Sequence, residues 1–360
     1  MTADEPGARL EKPALSLQEL TKRFDTMTAV DNVTLDIAEG EFFTVVGPSG
    51  SGKSTLVRLL AGLEVPTDGT LLLRGNDITR QPANTRPTAM VFQSLALFDH
   101  RSVGQNIEFA LKMKSIPAAT RRERALELLA LVRLPEDYYD RPVTQCSGGE
   151  RQRVAMARAL ASDPEILFLD EPLSALDYRL RKTLEVELKE IHQRTGKTFV
   201  YITHSLEEAM VMSDRIAIMQ AGRFVQIGTP QDIYQQPCNR FVAGFMGEVN
   251  ILAITSGSER TDVDTTDHAY FVGLDQTVAK PAGTFAVLRP EAVRADESGA
   301  IRFDADITQR LLLGSRTQYH LRVGQLALIA EISAGAGALL EPGTQARFSF
   351  DPQDLAWVSE

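Results

Sequence analysis

Cysteine is nearly absent. Cys146 and Cys238 are the only two in 360 residues, far apart and in no ligand-like spacing. A disulfide framework and a thiolate metal site are thereby excluded, and a reducing compartment is the default. Long apolar runs are missing too. The most apolar long stretch, Leu326 to Leu340, holds Glu331, Gly335 and Gly337 and is too short to span a bilayer. The start of the chain, Met1 to Gly7, is acidic and lacks the apolar centre of a signal peptide. A membrane role would therefore run through protein partners. Positive charge is not in excess: 38 Lys and Arg face 48 Asp and Glu, for a net charge of −10. That disfavours nucleic acid as the main partner.

What remains is an ordinary globular composition, 43% apolar and 24% charged, long enough for two or three domains. Residues 241–360 carry 16 acidic and 9 basic residues, so most of the net negative charge lies in the last third. From about 15 to 235 the pattern alternates strand and helix. Phe42–Val46, Ile166–Leu169 and Phe199–Ile202 read as buried parallel strands. Lys53–Leu63 and Glu207–Ser213 read as helices, and the architecture is α/β. Residues 95–162 interrupt the alternation and read as an inserted helical subdomain, with Arg121–Val132 its clearest amphipathic run. Arg181–Arg194 reads as a helix laced by the i,i+4 pairs Arg181–Glu185 and Glu185–Lys189. Beyond about 245, Thr284–Leu288, Gln318–Val323 and Ala346–Phe350 read as strands separated by turns such as Glu341-Pro342-Gly343. The expected division is 1–240 and 241–360, the second part a small β-barrel.

The chemistry concentrates in two places. Gly47, Pro48, Ser49, Gly50, Ser51, Gly52, Lys53, Ser54 and Thr55 match G-x-x-x-x-G-K-[ST] between a strand and a helix. Glycines let the backbone wrap a phosphate, and the helix N-terminus adds the positive end of its dipole. Lys53 then supplies a charge to the β- and γ-phosphates, and the Ser54 hydroxyl is the expected Mg²⁺ ligand. The alternative is a Gly-rich surface loop, which does not call for Lys-Ser at this register. Ile166–Glu171 reads as a buried strand ending in two carboxylates, Asp170 for the Mg²⁺ shell and Glu171 to polarise an attacking water. Two acids at a strand end can also be the start of a solvated loop; the phosphate loop upstream favours the catalytic reading.

Cys146-Ser-Gly-Gly-Glu150, followed by Arg151-Gln-Arg-Val-Ala-Met-Ala-Arg-Ala-Leu160, resembles the signature motif of ATP-binding-cassette ATPases. The family's other motifs follow in order. Phe24 corresponds to the adenine-stacking aromatic, Gln93 to the Q-loop, Ser174-Ala-Leu-Asp177 to the D-loop and His204 to the switch histidine. The resemblance covers residues 20–205. It implies a P-loop NTPase cassette that binds ATP and Mg²⁺ and pairs with a second copy. Each nucleotide would then lie between the Lys53 loop of one chain and Ser147, Gly148 and Gly149 of the other. Catalytic roles fall to Glu171, His204, Gln93 and Lys53, metal ligation to Ser54, Gln93 and Asp170, and nucleotide contact also to Phe24 and Asp177. Read singly, Phe24 is core packing or an adenine platform, and Gln93 a solvated loop residue or a Mg²⁺ and water contact; the resemblance selects the second reading in each case. His100, His192, His268 and His320 are expected to be structural.

The signature departs from the usual Leu-Ser-Gly-Gly-Gln form at two positions. Cys146 replaces Leu and should stay buried. Glu150 replaces Gln and is expected to point away from the nucleotide, since a carboxylate opposes phosphate. Arg240–Asn250, Leu288-Arg-Pro-Glu291 and Leu313-Gly-Ser315 resemble the linker and the oligonucleotide-binding-like regulatory domain of importer ATPases. The acidic balance and sparse aromatics of that part argue against a nucleic-acid platform. Ser174–Lys182 and Phe245–Asn250 are most similar to spermidine/putrescine importer ATPases. This implies two transmembrane permease subunits, an extracellular or periplasmic solute-binding protein and a place on the cytoplasmic face of the membrane. Ferric iron, sulfate or sugar import is the alternative, and a non-transport cassette ATPase a further one. The permease contact is expected at Ser94 to Val103, where Asp99 stands before His100 in place of the proline of many relatives.

Overall fold

A computed structural model describes residues 13–256, 268–271, 274, 277–279, 285–335 and 339–359. The start of the chain, Met1 to Gly7, lies outside them. The chain separates into two compact units, 1–230 and 231–360.

The first unit opens with β1 (Leu15–Phe24) and β2 (Met27–Ile37), then β3 (Phe42–Val46), α1 (Lys53–Leu60), β4 (Asp68–Leu73), β5 (Asn76–Asp77) and β6 (Thr88–Val91). The inserted helices are α2 (Val103–Ile107), α3 (Phe109–Met113), α4 (Ala118–Leu131) and α5 (Gly148–Leu160). The alternation resumes with β7 (Ile166–Asp170), α6 (Tyr178–Thr195), β8 (Thr198–Thr203), α7 (Leu206–Met212), β9 (Arg215–Gln220) and β10 (Arg223–Gly228). The central sheet has the order β10-β9-β3-β8-β7-β6, parallel except for β10. Its middle strands are apolar on both faces, as a sheet covered on both sides requires: all five residues of β3 are buried, and all six of β8. One face packs under α1 and the antiparallel sheet β2-β1-β4-β5, through Phe43, Leu56, Leu60 and Phe168. The other packs against α4 and α5, through Leu128, Leu129, Val154, Leu167 and Tyr201.

Several expected boundaries move. The helix after the phosphate loop ends at Leu60, because the buried Arg86 donates to the carbonyls of Leu59 and Leu60 and closes it there. The inserted helices begin at Val103, where Ser102 and Gln105 form a capping box; residues 93–101 are loop. On α6 the expected i,i+4 pairs do not form. Lys182 pairs with Glu185 and Glu207, Arg181 donates to the carbonyl of Leu176, and Lys189 to that of Val211. Neighbouring segments offer these side chains backbone acceptors and acids that helix spacing does not reveal.

The second unit comprises α8 (Pro230–Gln235, its first residue closing the previous unit), α9 (Arg240–Phe245), β11 (Asn250–Ser256), β12 (His268–Phe271), β13 (Thr277–Ala279), β14 (Phe285–Leu288), β15 (Ile301–Leu312), β16 (Arg316–Val323), β17 (Leu326–Ser333), β18 (Gln345–Phe350) and β19 (Leu355–Val358). Two antiparallel sheets, β13-β12-β11-β14-β19 and β17-β16-β15-β18, enclose one core that includes Leu252, Leu288, Phe303, Phe348 and Phe350 in a barrel-like arrangement. Alternation along β15 puts Ile301, Phe303, Ala305 and Ile307 inward. This unit starts at Gln231, ahead of the expected 241. The buried Arg289 donates to the carbonyls of Tyr234 and Ala243 and so ties the two preceding helices to β14. Of the expected β run at 284–288, Thr284 lies outside the described residues.

Candidate nucleotide-hydrolysis site

Each functional segment begins where a central strand ends. β3 runs into the loop 47–52, β6 into Gln93, β7 into Glu171 and β8 into His204. Parallel neighbours align these ends: Val46 pairs with Thr203, and Asp170 with Ile202. Sequence-distant side chains thus reach one edge of the sheet, where α/β folds place ligands.

The phosphate loop depends on its glycines. A Cβ on Gly47 would stand 2.1 Å from the carbonyl oxygen of Met219. Gly52 has φ +105°, and a Cβ there would stand 2.1 Å from the carbonyl oxygen of Ala29. The Lys53 ammonium folds back over the loop and donates to the carbonyls of Gly47 (2.8 Å) and Pro48 (3.0 Å). Burial pushes the Lys53 pKa down, while Glu171 and Asp170 pull against it. An anion seated in the loop would give this buried cation a partner. Ser54 is exposed at the first turn of α1, with Thr55 beside it, while Pro48, Ser49 and Gly50 form the exposed rim and Ser51 is buried beneath.

The acidic strand end brings four predicted residues together. Glu171 has φ +45°, a strained backbone for a non-glycine residue, held by its amide donating to the carbonyl of Ile202. Its Oε2 accepts from Gln93 Nε2 at 3.2 Å and lies 3.3 Å from His204 Nδ1. Gln93 Nε2 also donates to Ser174 Oγ at 3.3 Å, and Ser174 Oγ donates to the Glu171 carbonyl at 2.9 Å. Asp170 is half-buried, and its pKa is raised by that burial and by adjacent Glu171. Among the described residues no group of three or more His, Cys, Asp or Glu could hold a metal by itself. Ser54, Gln93 and Asp170 offer hard oxygen donors. Such a sparse set suits Mg²⁺, which is commonly held by one or two carboxylates together with substrate phosphates.

Ser147 opens α5. Its Oγ accepts from the Glu150 amide, and Glu150 Oε2 accepts from the Ser147 amide at 2.7 Å. Glu150 Oε1 accepts from Tyr138 Oη at 2.7 Å. These bonds, the Ser147 amide first, hold the Glu150 pKa below the usual carboxylate range. The carboxylate therefore turns back onto its own helix start, as a glutamine would. Cys146 is buried at 8% exposure and fills the apolar position of the usual leucine. Gly148 is exposed, and Gly149 packs so closely on Leu180 that a Cβ would stand 2.9 Å from it.

Phe24 and Asp177, both expected to contact nucleotide, have partners within the chain. Phe24 is 39% exposed, with the Lys22 ammonium 4.8 Å over one face of its ring; it is no core residue. Asp177 uses its carboxylate as the N-cap of α6, accepting from the Leu180 amide. His192 is structural as expected, packed against Phe42 and Phe199 with Nε2 2.9 Å from the Gly40 carbonyl.

Sequence reading missed the groups behind the site. Arg158 donates from α5 to the carbonyls of Leu95 (2.7 Å) and Ala96 (2.6 Å). Both acceptors have positive φ, +60° and +46°. Arg151 pairs with Asp99 at 2.9 Å, which gives the unusual Asp99 a partner. The two arginines are seven residues apart, so they share a helix face; that spacing was the available signal.

The fold and site define a P-loop nucleotide hydrolase. The family model for ABC transporters matches residues 30–174, and that for the TOBE domain matches 286–358. The chain is 41% identical to the spermidine/putrescine import ATP-binding protein PotA of Thermobifida fusca, over 95% of this chain and 92% of that one. It is 42% identical to the protein of the same name from Rubrobacter xylanophilus, over 96% and 94%. The dimeric cassette MJ0796 bound to ADP and Pi superposes with a TM-score of 0.54 at 32% identity, covering 60% of this chain and 98% of that one. CbiO1 from Clostridium perfringens superposes with a TM-score of 0.58 at 28% identity, covering 62% and 91%. The chain belongs to the ATP-hydrolysing subunits of ABC transporters, of the importer type that carries a C-terminal TOBE domain.

Proposed function

We propose that this subunit energises polyamine import, with spermidine or putrescine as solute, by working as a homodimer beneath two transmembrane permease subunits. The reading rests on the near full-length likeness to importers named for those solutes. The solute itself meets the permease and an external solute-binding protein, so no residue of this chain selects it. Among the described residues no helix is long and apolar enough to cross a membrane, which fits a subunit held at the cytoplasmic face by its permease.

The observation that carries the mechanism is the meeting of Gln93, Glu171 and His204 from the ends of β6, β7 and β8. Lys53 and the 47–55 loop hold the β- and γ-phosphates, with Phe24 against the adenine. When bound, Mg²⁺ neutralises phosphate charge and draws on Ser54, Gln93 and Asp170. Glu171 accepts a proton from the attacking water, which Gln93 helps to place. His204 leaves Glu171 to contact the γ-phosphate. The partner's Ser147 closes the site; its Oγ accepts from the Glu150 amide, which leaves its own proton to donate to phosphate. Hydrolysis removes the group that both subunits hold, and the dimer loosens, a population shift driven by differential contacts.

A strain lacking endogenous polyamine uptake, given this gene together with permease and binding-protein genes from the same genome, tests the solute. Uptake of labelled spermidine or putrescine that is lost in Lys53→Ala supports the proposal. Uptake of sulfate, ferric iron or sugar instead would redirect it.

A further inference from the structure

Glu208 lies four residues beyond His204 and is buried at 3% exposure. Its Oε2 accepts from Tyr201 Oη at 2.7 Å and from Thr203 Oγ1 at 2.6 Å. Thr203 Oγ1 in turn accepts from the Ser205 amide at 2.9 Å. One carboxylate oxygen therefore fixes the residues on both sides of His204. The other oxygen, Oε1, faces Arg181 Nε at 3.8 Å.

Arg181 belongs to the opposite side of the site. It leaves α6 four residues after Asp177, and its Nη2 donates to the carbonyl of Leu176 at 2.9 Å. Its Nε is buried and has no hydrogen-bond partner. A buried donor left unmatched is rare in a folded chain. Here an acceptor stands within about 1 Å of hydrogen-bonding distance. A second link runs alongside, with Lys182 of α6 at 2.8 Å from Glu207 of α7.

We infer that Arg181 and Glu208 are a positioning pair coupling the 174–177 segment to His204, drawn together into a direct hydrogen bond when the site closes on nucleotide. Neither touches the reacting atoms. The pair joins a segment that shares Ser174 with Gln93 and Glu171 to the loop that carries His204, so the two move together. This rests on the hydrolase reading above.

Glu208→Gln is the selective test. Its amide oxygen can still accept from Tyr201 and Thr203, while its NH₂ replaces the oxygen facing Arg181. Misplacing a reacting group by about 1 Å costs roughly a hundredfold. The expected loss in kcat is therefore roughly ten- to a hundredfold, with KM for ATP changed by less than about threefold. Arg181→Met should act likewise, and the double variant should lose no more than the worse single one. Losses that multiply in the double variant, or kcat within about twofold of the parent in both singles, would overturn the coupling. A KM rise with unchanged kcat would do the same. Failure of the underlying reading looks different: the unaltered chain would then show no hydrolysis, or Glu171→Gln would turn over normally.

Discussion

Arg158→Met removes the clamp on the Gln93 loop. In the intact protein a half-buried guanidinium, its pKa lowered by that burial, donates to two consecutive carbonyls. Hydrogen bonds to a charged group contribute about 1.5–3 kcal/mol each. Ala96 is exposed, so water replaces part of its bond, and the net loss is about 2–3 kcal/mol. The loop also stores strain: two non-glycine residues in the left-handed region cost roughly 1–2 kcal/mol each. Without the clamp, that strain favours leaving the native loop. The Leu95 amide, which donates to the Phe92 carbonyl, should exchange its hydrogen more than about tenfold faster, since tenfold needs only about 1.4 kcal/mol. Gln93 loses its registration against Glu171, and kcat should fall by about tenfold. The rest of the core keeps its packing, so nucleotide affinity should hold. Adding Ala96→Gly should restore part of the loss, because glycine adopts positive φ without a Cβ clash. Hydrogen exchange resolved by mass spectrometry, with steady-state ATPase on the same samples, makes the check. Unchanged exchange at 93–97 with normal kcat would refute the reasoning.

Three further outcomes follow. Glu150→Gln should shift ATP affinity by less than about tenfold, or ~1.4 kcal/mol, because the carboxylate already caps its own helix start; equilibrium binding of a fluorescent ATP analogue measures it. Gly52→Ala should abolish nucleotide binding in a folded chain, since the new Cβ would meet the Ala29 carbonyl at a strained φ; circular dichroism alongside binding separates this from misfolding. Chelating divalent metal should stop hydrolysis, and adding Mg²⁺ back should restore it, as a phosphate-release assay would report.

The legible part of this protein is local. The strand–loop–helix around Lys53 and the strand end at Glu171 announce themselves because a few consecutive residues carry both the backbone geometry and the chemistry. The signature shows itself the same way, and its Ser147 cap and buried Cys146 follow from helix-start and packing rules. What stayed hidden depends on residues far apart in sequence. Arg158 reaches back more than sixty residues to Leu95 and Ala96, and Tyr138 meets Glu150 across a turn. Arg181 looked like a helix-surface charge paired with Glu185, yet it turns to Leu176 and Glu208. Such side chains are placed by packing, which helix periodicity cannot see. Asp99 was similarly opaque until Arg151 appeared opposite it.

Sedimentation velocity of Glu171→Gln tests the shared-nucleotide dimer most directly. With ATP and Mg²⁺ it should run as a dimer; with ADP, or after adding Lys53→Ala or Ser147→Arg, it should run as a monomer. A monomer in saturating ATP, or a dimer indifferent to Ser147→Arg, would contradict the account.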